Sequence, residues 1–307
     1  MISPTLTHAL DHAVQTLHAG QVEAALQGVA DHLWQLRVSE PDEHWASRIK
    51  PACDAHPLTQ ILLQDPLTRR CREKPRGYAG DAEMIEYLYT QAAPAGTSDL
   101  GRQLFSFTAA SIAGFATRWR LQYLVDAIED TAERVPGCRV LSLACGHLRE
   151  AEQSHALRSG KVSMLLAIDQ DPLSLEVVRR DYRDLRNVRA VESSVRRILK
   201  SGLPEAGFDL AYAAGLYDYL ETRTAQALTR RLFDALAPGG RLIVPNYLRS
   251  NRARGYMESF MEWDLIVREP AEIRALGALL PEPEVAARRY FEDPKAVIAY
   301  LEIEKHG

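Results

Sequence analysis

The segment Val140–Glu150 constrains the fold more than any other stretch of this chain. It begins as a short apolar run, continues through the small residues Ala144-Cys145-Gly146, and opens a helical pattern at Arg149. A strand followed by a small-residue turn and a helix brings the backbone close to a ligand at the carboxyl end of a strand in an α/β sheet. We therefore predict the first strand of a parallel sheet here, with a ligand over its end.

The next apolar run ends in an acidic residue. Met164–Ile168 has the pattern of a second buried strand, and Asp169 follows it directly. A carboxylate at this place can accept hydrogen bonds from both ribose hydroxyls of a nucleoside, while Gly146 lets the backbone approach without a Cβ in the way. The pair predicts a nucleoside-bearing ligand over the first two strands. NAD is disfavoured, because its G-x-G-x-x-G pattern is reduced here to a single glycine.

From Arg139 onward, apolar strand patterns alternate with helical patterns. Alternation on this scale predicts an α/β fold with a mostly parallel, Rossmann-like sheet and helices on both faces. No clear helical pattern separates the last two strands, so we expect an antiparallel hairpin at that edge. The predicted strands cover residues 139–143, 164–168, 188–192, 209–213, 241–245, 287–291 and 298–304.

The N-terminal part of the chain carries helical rather than alternating patterns. Residues 5–37 predict two amphipathic helices with Gly20 ending the first, and residues 104–132 predict one long helix before the first strand. Between them, prolines punctuate a series of short helices and turns. We expect residues 1–110 to form a helical cover, or lid, that closes over the ligand end of the sheet, and residues 111–307 to form the ligand-binding α/β domain.

Composition excludes several classes of partner. The 307 residues are 46% hydrophobic and 25% charged, with a net charge of −4, as in an ordinary globular protein. That balance indicates neither a nucleic-acid partner nor an anionic membrane surface. The four cysteines show no metal-ligand spacing, and we find no signal-peptide pattern and no apolar run approaching the ~20 residues of a membrane span. We therefore expect a cytoplasmic protein without a bound metal, and the oligomeric state stays open.

Strand-end features occur in a characteristic order along the second part of the chain. They are Gly146, Asp169, Glu192–Val195, Asp209–Gly215 and the Pro-Gly-Gly turn of Leu236–Asn246. Their order and spacing resemble the class I S-adenosylmethionine-dependent methyltransferase family over roughly residues 110–307. The resemblance implies a Rossmann-like seven-stranded sheet and S-adenosylmethionine as the cofactor, with S-adenosylhomocysteine or methylthioadenosine as the product. The chain departs from the family at Ser142 and Ala144, which stand where the family has an acid and a first glycine.

The resemblance also implies which residues hold the cofactor. The turn after the first strand would hold the methionyl part, Asp169 the ribose, and the residues after the third strand the adenine edge. A guanidinium from Arg118 or Arg120, on the helix before the first strand, can clamp the cofactor carboxylate bidentately. The predicted cofactor-binding residues are Ala144, Cys145, Gly146, His147, Glu150, Asp169, Gln170, Ser194, Val195, Gly215, Leu216 and Arg120.

A narrower resemblance rests on three motifs. Lys74–Asp81 reads Lys-Pro-Arg-Gly-Tyr-Ala-Gly-Asp, Ala144–Glu150 reads Ala-Cys-Gly-x-x-Arg-Glu, and Gly215–Leu220 reads Gly-Leu-Tyr-Asp-Tyr-Leu. Together they are similar to a methyltransferase subgroup that contains bacterial 3-hydroxy fatty acid methyl ester synthases and azetidine-2-carboxylic acid synthases. The plain alternative for the first motif is a turn with solvated charges, in which Asp81 caps the following helix.

The subgroup leaves two reactions open, and a third possibility involves no reaction. The first is transfer of a methyl group from S-adenosylmethionine to a small-molecule acceptor, such as a carboxylate that becomes a methyl ester. The second is cyclisation of S-adenosylmethionine itself to azetidine-2-carboxylic acid, with release of methylthioadenosine. The third is a cofactor-binding module without catalysis. The expected partners are therefore a small-molecule substrate or S-adenosylmethionine alone.

The predicted catalytic residues are Tyr78, His147, Tyr219 and Asn246. Tyr219 and Asn246 follow adjacent strands at the carboxyl edge of the predicted sheet, and Tyr78 is flanked by glycines in the cover. A tyrosine face stabilises a sulfonium as it does an ammonium, and an amide carbonyl can orient an amine or an acceptor. His147 can act as a general base, although a histidine in a turn is more often a hydrogen-bonding wall.

Overall fold

The computed structural model describes residues 4–307, which divide into two compact units. The first unit combines residues 4–118 with Asn251–Asp264, and the second combines Trp119–Ser250 with Leu265–Gly307. The sequence predicts a division between residues 110 and 111, with every later residue in the α/β domain. Asn251–Asp264 is distant in sequence from the rest of the first unit, so no local pattern assigns it there.

The helices and strands have the following bounds. The helices before the sheet are α1 (Pro4–His18), α2 (Val22–Ser39), α3 (Asp42–His44), α4 (Lys50–Asp54), α5 (Pro57–Leu62), α6 (Pro66–Glu73), α7 (Ala82–Thr90), α8 (Asp99–Ala110) and α9 (Ile112–Arg134), with a π-helical turn, Trp45–Ile49, between α3 and α4. The later helices are α10 (Arg149–Gln153), α11 (His155–Arg158), α12 (Pro172–Asp181), α13 (Val195–Ser201), α14 (Thr222–Asp234), α15 (Arg254–Phe260) and α16 (Pro270–Arg274). The strands are β1 (Cys138–Leu143), β2 (Val162–Asp169), β3 (Val188–Glu192), β4 (Phe208–Tyr212), β5 (Leu236–Tyr247), β6 (Val285–Glu292) and β7 (Ile298–Lys305).

The long helix predicted over residues 104–132 is interrupted. The chain forms α8 and α9 instead, separated by Ser111, whose backbone is extended with φ −52° and ψ 163°. The Ser111 hydroxyl oxygen accepts a hydrogen bond from the backbone N–H of Gly114, 3.2 Å away, and thereby caps the start of α9. Serine favours such caps over helix interiors, which explains why the apolar periodicity continues while the helix does not.

In the first unit, α15 packs closely on α2. A Cβ on Gly255 would lie 2.7 Å from the backbone carbonyl of Leu33, so this approach requires a glycine. Arg37 of α2 donates to the carboxylate of Glu258 over 2.8 Å, and both side chains are buried. These contacts hold Asn251–Asp264 in the first unit, although the chain has passed through the first strands of the second unit before reaching it.

The second unit contains a seven-stranded sheet in the order β3-β2-β1-β4-β5-β7-β6. The pairs among β1 to β5 are parallel, and β7 pairs antiparallel with both β5 and β6. This confirms the predicted Rossmann-like α/β fold with seven strands, including the antiparallel hairpin at its edge. β1 lies between β2 and β4, where the strand order reverses, and ligands of open α/β sheets bind at such a point.

The Pro-Gly-Gly segment lies inside a strand rather than before one. β5 begins at Leu236 and includes Pro238–Gly240, and its pairing is irregular between Phe208 and Leu210 of β4. A Cβ on Gly240 would lie 2.6 Å from the carbonyl oxygen of Phe208. A glycine is therefore required where β5 passes close to β4.

Both faces of the sheet contribute to the core of the second unit. On one face, Leu141, Leu166 and Val244 belong to an apolar cluster that includes Leu232 of α14, and on the other face Val140 is fully buried. Near-continuous apolar strands of this kind are expected where helices cover both faces of a parallel sheet. Across residues 4–307, no helix combines the length and the apolar character that crossing a membrane requires.

Candidate functional site

The turn after β1 follows an unusual backbone path. Ala144, Gly146 and Leu148 have positive φ angles of 53°, 52° and 55°, respectively. The left-handed conformation costs a residue with a Cβ about 1–2 kcal/mol, so surrounding bonds must hold Ala144 and Leu148 there. The N–H of Cys145 donates to the carbonyl of Ile168 over 3.1 Å, and the N–H of Leu148 donates to that of Cys145 over 2.9 Å. The turn therefore stays tight, although Ala144 and Leu148 each carry a Cβ.

Asp169 links the ends of β1 and β2. Its Oδ2 accepts a hydrogen bond from the Gly146 N–H over 2.8 Å, and its Oδ1 accepts one from the Asp171 N–H over 2.9 Å. The residue is 6% exposed, and burial raises the pKa of its carboxyl. Each carboxylate oxygen has a second acceptor position, so the group can still receive ribose hydroxyls. The structure thus brings Gly146 and Asp169 together, as the sequence predicts.

A buried carboxylate lies next to β1. Glu150 on α10 is 5% exposed, and its Oε1 accepts hydrogen bonds from the Ser142 hydroxyl over 3.1 Å and from the Tyr212 hydroxyl over 2.8 Å. Burial raises the pKa of Glu150, while its hydrogen bonds and the charge of Arg120 oppose the rise. β1 thus supplies a hydroxyl at Ser142, and the following helix supplies the acid that accepts it.

Arg120 is buried at the same edge of the sheet. It is 3% exposed, and both of its terminal nitrogens lie 3.6 Å from the position that a Cβ of Gly215 would take. Its positive charge acts on the carboxylates of Glu150 and Asp218 and opposes the rise of their pKa values. Of the two arginines predicted as carboxylate clamps, Arg120 is therefore the one that accompanies the predicted site residues.

Arg118 forms hydrogen bonds within the first unit. Its Nη1 donates to the carbonyl oxygens of Leu88 and Ala109 in the first unit, each over 2.8 Å. These bonds tie α9 to α7 and α8 and engage the guanidinium within the protein. Arg118 therefore has a structural role, and its role as a carboxylate clamp stays a prediction.

Asp218 is a site residue that the sequence pattern left without a defined role. It lies in a 3₁₀ turn, Tyr217–Tyr219, after β4 and is 3% exposed. Its Oδ1 accepts a hydrogen bond from the Tyr247 N–H over 2.7 Å. Burial raises its pKa to about 6, against the opposing influence of the Tyr247 N–H, Arg120 and Arg268. A signal was present in the sequence, since an acid between two tyrosines closely follows a strand.

The Asn246 side chain forms hydrogen bonds at both ends of its amide. It is fully buried, its Oδ1 accepts a hydrogen bond from Arg268, and its Nδ2 donates to the carbonyls of Tyr247 and Ile266 over 2.9 and 3.1 Å. These partners engage both ends of the amide and anchor the segment after Leu265 against β5. The catalytic role of Asn246 stays a prediction.

Asn246→Ala should lower the free energy of unfolding by about 1–3 kcal/mol, because it leaves buried polar groups of Arg268 and Ile266 without their partner. Urea denaturation followed by circular dichroism measures the loss. Gln170→Ala removes an exposed amide from the end of β2 and should change stability little. Equal stabilities of the two variants would contradict the anchoring role.

The tyrosines after β4 divide between core and surface. Tyr217 is fully buried and its hydroxyl pairs with that of Thr229 at 3.0 Å, so it fills the core. Tyr219 is 37% exposed, whereas His147 is 6% exposed. The catalytic roles of Tyr219 and His147 stay predictions, as does that of Tyr78, which is half-buried in the first unit.

The remaining predicted cofactor residues lie around the strand ends. Ser194 caps α13, its hydroxyl oxygen accepting a backbone N–H of that helix over 3.3 Å. Val195 and Leu216 pack against the core, and Gln170 is exposed after β2. Burial raises the pKa of the Cys145 thiol well above its usual value. The thiol therefore stays protonated at neutral pH and is a poor nucleophile.

The Lys74–Asp81 motif forms a capped turn in the first unit. Asp81 is fully buried and caps α7 by accepting a hydrogen bond from the Met84 N–H over 2.8 Å. Its two oxygens also receive the Arg70 guanidinium, over 2.8 and 2.9 Å. Lys74 ends α6 in the left-handed conformation, with φ 47°. The predicted cap is present, and the motif has a structural role in this unit.

Comparison with known proteins agrees with the sheet topology. Residues 140–240 match a family described as a methyltransferase domain. No curated protein matches the chain in sequence. Among solved structures, a protein described as a possible exported protein from Bordetella parapertussis is similar over 100% of both chains, with 18% identity and a TM-score of 0.60.

Further solved structures show a lower similarity. The N-methyltransferase NodS from Bradyrhizobium japonicum WM9, in complex with S-adenosyl-L-homocysteine, covers 72% of this chain and 97% of its own, with 15% identity and a TM-score of 0.46. A TehB-like SAM-dependent methyltransferase from Corynebacterium glutamicum covers 63% of this chain and 97% of its own, with 16% identity and a TM-score of 0.42.

The family match covers the region where the strand-end groups lie. It runs from β1 into β5 and includes the Gly146–Asp169 link, Glu150 and Asp218. At 18% identity, the similarity to the Bordetella protein concerns the fold. Residues 140–240 thus match a methyltransferase domain family, and they supply β1 to β4 and the start of β5 in the seven-stranded sheet.

Proposed function

We propose that this chain is an S-adenosylmethionine-dependent methyltransferase that acts on a small acceptor carrying a hydroxyl or an amine. The observation that carries the proposal is a pair of buried carboxylates, Glu150 and Asp218, that share the influence of the buried Arg120. The Gly146–Asp169 link lies at the same edge of the sheet. S-adenosylmethionine is an amino acid joined to a nucleoside. Buried charges of both signs suit its amino-acid part, and the nearby Asp169 suits its ribose.

The residues of the site fit the two ends of the cofactor. Arg120 is complementary to the α-carboxylate and Glu150 to the α-ammonium, since a buried charge requires an opposite partner. Asp169 retains acceptor positions for the ribose hydroxyls. Gly215 has no Cβ, which leaves space beside the Arg120 guanidinium.

The protein's own contribution is positioning and the movement of one proton. When bound, S-adenosylmethionine supplies a methyl group on a positively charged sulfur for in-line transfer. Asp218 is a buried carboxylate, and we assign it the proton of the acceptor hydroxyl or amine. A pKa of about 6 makes Asp218 a stronger base than an ordinary aspartate. A carboxylate acceptor, which would give a methyl ester, is disfavoured beside Glu150 and Asp218 because like charges repel in a buried site.

Asp169→Ala should weaken S-adenosylmethionine binding by about 1.5–3 kcal/mol, the usual contribution of hydrogen bonds to a charged acceptor. Calorimetric titration of the folded variant measures the change. Asp184→Ala is a matched control, because the Asp184 side chain is 92% exposed in the same unit. If Asp169→Ala keeps the affinity of the wild type, Asp169 does not hold the ribose.

A second candidate is the cyclisation of S-adenosylmethionine to azetidine-2-carboxylic acid with release of methylthioadenosine. The observation that favours it is that Glu150 and Asp218 both have raised pKa values. A buried carboxylate with a raised pKa can remove a proton from the substrate's own ammonium, which leaves a nucleophilic amine. This reaction needs no separate acceptor.

Incubating the pure protein with S-adenosylmethionine alone, and then with sets of small alcohols and amines, separates these candidates. S-adenosylhomocysteine that forms only with an acceptor supports methyl transfer. Methylthioadenosine from S-adenosylmethionine alone supports cyclisation and would overturn methyl transfer. Saturable binding without either product would make the chain a binding module and overturn both. A reaction without protein measures the spontaneous breakdown of the cofactor.

A further inference from the structure

The first unit contains a cavity of about 640 Å³ that the proposed reaction does not use. Residues of α2, α6, α7, α8, the start of α9 and α15 line it, together with the residues that flank α15. All of them belong to the first unit. Small-molecule sites have volumes of about 300–1,000 Å³, so the cavity has the size of a ligand site.

The inner part of the cavity is apolar. Its buried lining includes Leu67, Leu88, Met257, Met261 and Trp263. Methionine side chains are flexible and polarisable, and they adapt to ligands of differing shape. The apolar body of a small molecule would therefore be well accommodated here.

One buried polar group at the cavity indicates a ligand. Tyr256 lines the cavity, is 6% exposed, and its hydroxyl forms no hydrogen bond with any residue of the described chain. Burial raises the pKa of this phenol and the charge of Asp65 adds to the rise, so the hydroxyl keeps its proton and can donate it. The Thr68 hydroxyl, which donates to Asp65 over 2.7 Å, lies near enough to lower this pKa, but it does not meet the geometry of a hydrogen bond with Tyr256. A buried hydroxyl without a partner is destabilising, and a ligand acceptor would remove that cost.

The rim of the cavity is polar and carries charges of both signs. Glu23 and Asp31 are exposed acids on α2, and Arg252 is an exposed base before α15. Gln27 and Gln103 add exposed amides. A rim of mixed sign does not select for a strongly charged ligand, so a neutral molecule suits it better.

We propose that this cavity binds a neutral small molecule with an apolar body and a hydrogen-bond acceptor, such as a carbonyl oxygen, that receives the Tyr256 hydroxyl. Binding at this site is independent of the proposed methyl transfer, because it requires no cofactor. It can therefore be measured with the full chain alone, and failure of one proposal leaves the other intact.

Prodan is a suitable probe, because it is a neutral naphthalene ketone whose fluorescence depends on its surroundings. It should bind saturably to the full chain with a blue-shifted emission. Tyr256→Phe should weaken prodan binding about three- to tenfold, which corresponds to the loss of one hydrogen bond. The same variant should bind 2-dimethylaminonaphthalene, which lacks the ketone, as tightly as the wild type does. Equal changes for the two probes, or no change for either, would overturn the assignment of Tyr256.

A cavity-filling variant tests the location. Ala110 is an exposed residue of α8 in the cavity lining, so Ala110→Trp should fill the space and abolish prodan binding. Ala24→Trp is the matched control, since Ala24 is exposed on α2 and lies outside the lining. Circular dichroism and thermal melting verify that each variant is folded. Absence of prodan binding in the wild type, or its persistence in a folded Ala110→Trp, would overturn the proposal.

Discussion

Asp218→Asn should lower turnover by about 10²–10⁴-fold, the usual contribution of a positioned general base. Asparagine keeps the shape of the side chain, and its amide oxygen can still accept the Tyr247 N–H, so the turn after β4 should be retained. The variant loses the ability to take up a proton at the second oxygen. Its affinity for S-adenosylmethionine should change much less than its turnover, because proton uptake belongs to the transition state. Steady-state kinetics with an active acceptor, together with calorimetric binding, measure both quantities.

The pH dependence of turnover distinguishes a general base from a residue that only supports the fold. Because the pKa of Asp218 is raised to about 6, wild-type turnover should rise as the pH increases through that value and level off above it. The rising limb should be absent from Asp218→Asn. A raised pKa in the folded state also means that ionised Asp218 costs stability above this pH, so the variant should be at least as stable as the wild type at about pH 8. Unchanged turnover, or a turnover loss that follows unfolding, would contradict the proposed role.

Arg120→Met should lower the free energy of unfolding by about 3–5 kcal/mol at about pH 8. Methionine replaces the apolar stem of arginine but not its charge. Glu150 and Asp218 then stay buried without the positive charge that opposes the rise of their pKa values. Urea denaturation measures the loss, and Arg183→Met is the control, because the Arg183 side chain is 77% exposed.

The loss caused by Arg120→Met should shrink at about pH 5. Without Arg120, the folded-state pKa values of Glu150 and Asp218 lie further above their unfolded values. Stability is then retained at low pH, where both carboxyls are protonated, and is lost as the pH rises through the raised values. A loss of the same size at both pH values would show that Arg120 contributes packing rather than charge.

The strands of the second unit could be predicted because their signals are local. A parallel strand that is covered on both faces is a continuous apolar run with turn residues at its ends. The strand predicted over residues 139–143 is observed as Cys138–Leu143, and the one predicted over residues 188–192 is Val188–Glu192. The cap at Asp81 is local in the same sense, since it depends on the N–H of Met84 a single turn away.

The helix before β1 shows where local patterns stop being sufficient. Arg118 and Arg120 are two positions apart and therefore about 200° apart around a helix. Periodicity identifies the helix, but it does not predict which of the two arginines points toward which neighbouring element. Only the packing of α9 brings Arg118 to the carbonyls of Leu88 and Ala109, and buries Arg120 with the strand-end carboxylates.

Asn246 and Asp218 also show which properties follow from local sequence patterns and which depend on tertiary packing. Both follow apolar strands, and the sequence placed both at the carboxyl edge of a sheet. Their roles depend on residues far away in the chain: Arg268 engages the amide of Asn246, and burial with Arg120 sets the pKa of Asp218. The sequence by itself determined the α/β architecture, the strand ends and the capped turn, because periodicity and neighbouring residues decide these. The tertiary structure alone decided the partner of each polar group and the place of Asn251–Asp264, because burial and long-range hydrogen bonds exist only in the packed chain.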